Sequence, residues 1–206
     1  QNNYPKTLYE IIVIDDHSQD DTYDIVKSLN QSNIQVYRLP EDKNGKKASI
    51  TYGISKSKFN IILSTDADSQ VGKSWISSHA VIYSNGNTKM STGLVLPVVV
   101  DTLLSRFQWM DFAATMAITG NGIYRKQYYL ANGANMSYHK STFNEIKGFD
   151  NNAHLASGDD VFLMQKVSTH FRNSVRFVKS GDAIVITKSE HDWSSFFSQR
   201  KRWASK

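Results

Sequence analysis

The run Tyr9-Glu10-Ile11-Ile12-Val13-Ile14-Asp15-Asp16 decides the fold class. A short apolar stretch of this length reads as a buried strand over Tyr9–Ile14, and its far end delivers two carboxylates. From Asp20 to Gln31, the apolar residues Tyr23, Val26 and Leu29 recur at helical spacing, with Ser18 or Asp20 available as N-cap. A second strand, Ile34–Leu39, stops at Pro40. A helix over Lys46–Ser57 then leads to a third strand, Phe59–Leu63, which runs into Ser64-Thr65-Asp66-Ala67-Asp68. Gly72–Tyr83 is helical again and Met90–Val100 is mostly strand. Alternation of strand and helix is the pattern of an α/β fold, a Rossmann-like, mostly parallel sheet with helices on both faces.

The second half is less regular. Asp101–Ala117 reads as a long helix carrying Leu103, Leu104, Phe107, Trp109 and Phe112. Short strands are expected at Tyr128–Ala131, Val175–Val178 and Ala183–Thr187, and helices at Ser141–Ile146, Asp160–Thr169 and Trp193–Lys206. No repeat, low-complexity stretch or linker interrupts the 206 residues, so one domain is expected over 1–206.

Composition agrees. Hydrophobic residues are 40% and charged residues 21%, which is the balance of a folded globular chain. The absence of cysteine removes disulfides and thiolate ligands, leaving oxygen or imidazole for any metal. The formal charge of +5 is modest, and Lys188, Arg200, Lys201, Arg202 and Lys206 crowd the end. Such a stretch suits a solvated helix face, an anionic membrane face or a phosphorylated ligand. No recognition module for nucleic acid is evident.

In open α/β sheets, ligands bind beyond the carboxyl ends of the strands. Two strands end there in acid pairs, Asp15/Asp16 and Asp66/Asp68. A single strand-end Asp is commonly a turn former. Two pairs at equivalent ends are harder to explain so, because grouped carboxylates repel unless a cation or donor compensates. Side chains alternate along an extended chain, so Asp66 and Asp68 share a side. Hard oxygen ligands in that arrangement suit Mg²⁺ or Mn²⁺ on a diphosphate. Asp159-Asp160 opens the helix beginning Val161-Phe162-Leu163-Met164. There the acids serve either as a cap or as a base that takes a proton from a hydroxyl. In Gln199-Arg200-Lys201-Arg202-Trp203, Arg202 can hold a phosphate and Trp203 can stack on a sugar face.

In combination these segments resemble family 2 glycosyltransferases, particularly the membrane-associated enzymes related to cellulose, chitin and hyaluronan synthases. Asp15-Asp16-His17-Ser18 is similar to the family's DDxS segment, which implies that Asp16 contacts a nucleobase. Gly45-Lys46-Lys47-Ala48 resembles its GK segment and places Lys46 near base or phosphates. Asp66-Ala67-Asp68 matches the DxD element, with Asp68 on metal and Asp66 on metal, ribose or diphosphate. Asn132-Gly133-Ala134-Asn135-Met136 looks like the strand bordering donor and acceptor sugars, which makes Asn135 a donor-site residue. Asp159-Asp160 stands where the family has Glu-Asp, so Asp160 is the expected base with Asp159 as its neighbour. Gln199, Arg202 and Trp203 fit QxxRW.

The resemblance implies a glycosyltransferase A-type fold, with residues 1–98 as nucleotide-binding half and 99–206 as acceptor-binding half. It implies an inverting transfer from a nucleotide-diphosphate sugar, UDP-linked by preference, to a carbohydrate or lipid-linked acceptor in polysaccharide biosynthesis. It further implies a catalytic domain on the cytoplasmic face of a membrane, flanked by membrane segments, and a strand ahead of Tyr9. Two rival readings are a haloacid-dehalogenase-like phosphotransferase, with Asp66 as nucleophile, and an inactive domain that binds nucleotide or carbohydrate.

Overall fold

The computed structural model describes residues 2–127, 130–150 and 158–204. Its first strand, β1 (Ile11–Asp15), pairs in parallel with β2 (Ile34–Arg38), Ile11 opposite Ile34 and Asp15 opposite Arg38. Helix α1 (Thr22–Ser28) makes the crossover between them, and α2 (Lys46–Lys56) packs against β1. The fit of α2 is close because residue 53 is glycine: a Cβ there would stand 3.3 Å from the Ile14 side chain.

The larger sheet has the order β3-β7-β5-β8, formed by Ile61–Ser64, Met136–His139, Met90–Gly93 and Val175–Val178 respectively. A three-stranded sheet joins β4 (Gln70–Val71), β9 (Val185–Thr187) and β6 (Val95–Pro97) in that order. The α/β class holds, but strand directions are mixed. Among the described residues β1–β2, β5–β8 and β6–β9 are parallel, while β3–β7, β5–β7 and β4–β9 are antiparallel. The cause lies in the second half. β7 enters between β3 and β5 against their direction, which strand–helix alternation in the first half does not foretell.

The remaining helices are α3 (Trp75–Tyr83), α4 (Leu103–Tyr124), α5 (Lys140–Glu145), α6 (Asp159–His170) and α7 (Trp193–Ala204). Most expected elements form within a few residues of their reading. The exception is the strand expected at Tyr128–Ala131: residues 128 and 129 lie outside the described set, 130 and 131 are not strand, and the strand of this region is β7. α4 runs seven residues past its expected end, because Ile118 to Tyr124 contains no proline and its two glycines leave the helical hydrogen bonds intact.

The core has two parts. Met90, Met136, Tyr138, Leu163, Met164, Val167 and Val175 join β5, β7 and β8 to α6. Trp75, Val95, Phe112, Met116, Val178 and Val185 join α3 and α4 to strands β6, β8 and β9.

Between α3, β5 and β7 lies a buried polar network. His79 Nδ1 is 3.0 Å from both Ser91 Oγ and Ser137 Oγ, and its Nε2 is 2.9 Å from Asn135 Oδ1. Burial holds the imidazole pKa down at about 4 from its ordinary 6.5, so the ring is neutral at pH 7. A base with a depressed folded-state pKa stabilises the fold fully above its unfolded value, and that stabilisation drains away as pH falls from 6.5 through 4. His79 is therefore expected to remove about 2 kcal/mol of stability between pH 7 and pH 5. Urea unfolding of the wild type and of His79→Gln at both pH values checks this: the pH-dependent loss should shrink by that amount in the variant, and equal losses would contradict it.

Candidate active site

The ends of β1 and β3 and the starts of α2 and α6 converge on one spot. At the β1 end the two acids have different tasks. Asp15 is 3% exposed; its Oδ1 accepts from the Ser18 N–H at 3.2 Å and its Oδ2 lies 3.9 Å from Arg38 Nε. Its side chain closes the turn after β1. Asp16 is exposed, and its Oδ2 accepts from the Gly45 N–H at 2.8 Å, tying the strand end to the start of α2. Gly45 holds φ +84°, a conformation natural to glycine, and so lets Lys46 open the helix toward the strand ends.

Lys46 Nζ donates to Asp66 Oδ1 at 2.5 Å. Burial disfavours the charged amine, yet its pKa is raised overall, because Asp66, Asp159 and Asp160 surround it with negative charge. The ammonium is thus secured at the centre of the acids. Asp68 stands two residues on, exposed in the turn after β3.

The third wall is a 3-10 turn, Gly133–Asn135, leading into β7. Asp160 is 8% exposed; its Oδ2 accepts from the Gly133 N–H at 3.2 Å and its Oδ1 from the Val161 N–H at 2.8 Å. Gly133 faces the middle of the site. A Cβ there would lie 3.5 Å from Asp159 Oδ2, 3.6 Å from Lys46 Nζ and 3.7 Å from the Asp160 Cβ. Ser64 Oγ, at the β3 end, donates to the Gly133 carbonyl at 3.3 Å. The structure therefore brings together Lys46, Asp66, Asp159 and Asp160, with Gly133 beside Lys46, Asp159 and Asp160 and with Asp16 tied to Gly45 next to Lys46.

Other expected site residues have contacts of their own. Asn135 is fully buried with its amide turned inward. Its Nδ2 donates to the carbonyls of Leu94 and Ala183, and its Oδ1 accepts from Trp75 Nε1 and faces His79. Through those contacts Asn135 anchors the 3-10 turn. Gly93 is part of that anchorage, since a Cβ there would stand 2.5 Å from Asn135 Nδ2. Gln199 Nε2 donates to Glu190 Oε1 at 2.6 Å, and Trp203 packs edge-on against Phe112 at 5.6 Å, so both are engaged with neighbouring elements. Arg202 lies on the exposed side of α7.

Known proteins decide the family. The family model described as "Glycosyl transferase family 2" matches residues 1–147. The chain belongs to glycosyl transferase family 2. It is similar to the probable glycosyltransferase YdaM of Bacillus subtilis (strain 168), at 25% identity over 98% of this chain and 48% of that protein. The chain thus spans about half the length of the curated relative it matches. Its fold resembles the crystal structure of S. aureus TarS 1–349, with TM-score 0.65 and 17% identity over 91% of this chain and 53% of that one. The same protein solved in complex with UDP-GlcNAc gives TM-score 0.65 and 19% identity over 94% and 54%.

Set in this glycosyltransferase family, Gly133 and Ser64 are the residues that sequence reasoning passed over as individual site components, and Arg200 is one it passed over in the packing of α7 on α4. Arg200 ion-pairs with Asp111 and lies over the rings of Trp203, Phe196 and Phe112 at 4.3, 4.6 and 5.0 Å. The signal was present: Phe196, Arg200 and Trp203 are spaced four and three along a helix, which stacks them on one face.

Proposed function

We propose that this domain transfers a sugar from a nucleotide-diphosphate sugar, UDP-linked by preference, to an acceptor hydroxyl with inversion at the anomeric carbon. The observation that carries the reading is Lys46 held among Asp66, Asp159 and Asp160 over the bare backbone of Gly133. A diphosphate brings the negative charge that an ammonium in this position attracts, and the missing Cβ leaves room beside it.

Asp160 is the base in this scheme. Two backbone N–H groups fix its carboxylate in place as the acceptor of an incoming hydroxyl proton. The acceptor oxygen forms its bond to the anomeric carbon as the bond to the diphosphate oxygen breaks; the hydroxyl proton passes to Asp160 and the electron pair leaves with the diphosphate. Lys46 faces the charge that develops on the leaving oxygen, and Asp16 borders the side where a base would lie. Residues 1–98 then hold the nucleotide and 99–206 the acceptor, a carbohydrate or a lipid-linked sugar.

A divalent cation fits these residues. Mg²⁺ is commonly held by one or two carboxylates plus substrate phosphates, so a protein triad is not required. Asp68, exposed in its turn, would be the main ligand, with Asp66 second because Lys46 already engages it. When bound, Mg²⁺ or Mn²⁺ supplies charge neutralisation to the departing diphosphate.

A degenerate domain that binds the same ligand without turnover is separated from this reading by activity. Purified protein incubated with a series of UDP- and GDP-sugars in the presence of Mn²⁺ is expected to release nucleoside diphosphate from one of them. Saturable nucleotide binding with no release from any donor, acceptors included, would favour the degenerate domain.

A further inference from the structure

His79 is 1% exposed, and the transfer scheme gives its imidazole no task. Trp75, His79 and Tyr83 recur every four residues along α3, which stacks all three on one buried helix face. Apolar side chains at that spacing would fill the space between α3 and the sheet without any polar group to satisfy. Here the stripe carries an indole N–H, an imidazole and a phenol, and each has a buried polar partner.

The first two converge on the Asn135 amide. Its Nδ2 donates to the carbonyls of Leu94 at 2.8 Å and Ala183 at 2.7 Å, which leaves Oδ1 as the acceptor. Oδ1 lies 2.9 Å from Trp75 Nε1 and 2.9 Å from His79 Nε2. Because that oxygen can only accept, the neutral His79 ring carries its proton on Nε2. Nδ1 is then the acceptor, with Ser91 Oγ and Ser137 Oγ each 3.0 Å away as hydroxyl donors. Those two hydroxyls are 2.6 Å apart, and Tyr83 Oη lies 2.8 Å from Ser137 Oγ, so the tautomer is fixed from both sides of the ring.

Asn135 is also the last residue of the 3-10 turn that begins at Gly133. Its N–H donates to the Asn132 carbonyl at 3.1 Å, and its own carbonyl accepts from Thr92 Oγ1 at 3.1 Å. Two residues back in the same turn, the Gly133 N–H donates to Asp160 Oδ2. Any displacement of the Asn135 amide moves the backbone that aims this N–H. We propose that Trp75 and His79 are positioning residues of the transfer reaction: their two N–H groups hold Asn135, and Asn135 holds the turn that orients Asp160. The inference rests on the reading of Asp160 as base. Both residues act through Asn135 and not on the sugar.

Hydrogen exchange at the Gly133 amide, followed by nuclear magnetic resonance, tests it together with turnover. Trp75→Phe keeps an aromatic ring and loses the N–H; His79→Leu removes the other donor. Both are expected to raise exchange at Gly133 by about tenfold and to lower turnover of the UDP- or GDP-sugar that the wild type consumes by about tenfold, with UDP affinity within about threefold. Amides of β1 and β2, in the separate two-stranded sheet, should keep their wild-type rates. His79→Gln should restore both readouts toward wild type, since its Nε2 lies as many bonds from the backbone as the ring nitrogen. Uniform acceleration at all amides overturns the inference, as does unchanged exchange or unchanged turnover in the folded variants. Where a substitution prevents folding, the wild type decides: nitrogen-15 spectra of its imidazoles should place the His79 proton on Nε2, and a proton on Nδ1 overturns the inference. Asp160→Asn in the same assay keeps the two readings apart. An active Asp160→Asn contradicts the base itself, whereas a dead one beside Trp75 and His79 variants of wild-type turnover removes only the positioning.

Discussion

Asp160→Asn is expected to lower donor turnover by roughly 10²–10⁴-fold, the usual worth of a positioned general base, while UDP affinity stays within about threefold. The substitution keeps the shape of the side chain and removes its basicity. It also exchanges one acceptor oxygen for an amide, and both oxygens accept backbone N–H groups, from Gly133 and Val161. One of those donors loses its partner, at a cost of about 1–3 kcal/mol of stability. Turnover must therefore be measured where the variant is shown to be folded. Asp159→Asn is the control, since its carboxylate faces Lys46 and the Gly133 opening. A dead Asp159→Asn beside an active Asp160→Asn would move the base by one residue, and two active variants would contradict the single-displacement scheme.

Asp68→Ala is expected to abolish the tightening of UDP binding by Mn²⁺, a loss of about tenfold or more, and to leave metal-free affinity and thermal stability unchanged. Stability is expected to be indifferent because Asp68 is exposed in its turn. Asp66→Ala differs in kind. It releases Lys46 from its 2.5 Å partner and weakens metal-free UDP binding too, since the ammonium is then no longer held in place. Calorimetric titration of both variants with and without Mn²⁺ separates the two roles, and undiminished Mn²⁺ dependence in Asp68→Ala would remove Asp68 from the metal site.

The first half of the fold was readable because its residues obey one rule at a time. Ile11 to Ile14 are apolar and β-branched, Lys46 to Lys56 follow a glycine, and both acid pairs fall where strands end. The acids after β1 and β3 are legible from that order, whereas Asp159 and Asp160 reach Lys46 from the start of α6. The second half resists because tertiary context decides it. β7 is placed by its pairing with β3 and β5, and nothing in Met136-Ser137-Tyr138-His139 states that direction. Asn135 is a donor-site residue only by the resemblance of its segment, and nothing in that segment foretells that the carbonyls of Leu94 and Ala183 accept from its amide from far along the chain. Asp15 and Asp16 are chemically identical neighbours; only the pleat, which turns one toward Ser18 and the other toward Gly45, gives them different partners.

The most direct test of the acid–lysine site is a crystal structure of the protein soaked with UDP and MnCl₂, with manganese located by its anomalous signal. The expected result is the diphosphate between Lys46 Nζ and the Gly133 backbone, with manganese coordinated by a carboxylate oxygen of Asp68. A nucleotide bound away from Lys46, or manganese on residues other than Asp66 and Asp68, would contradict it.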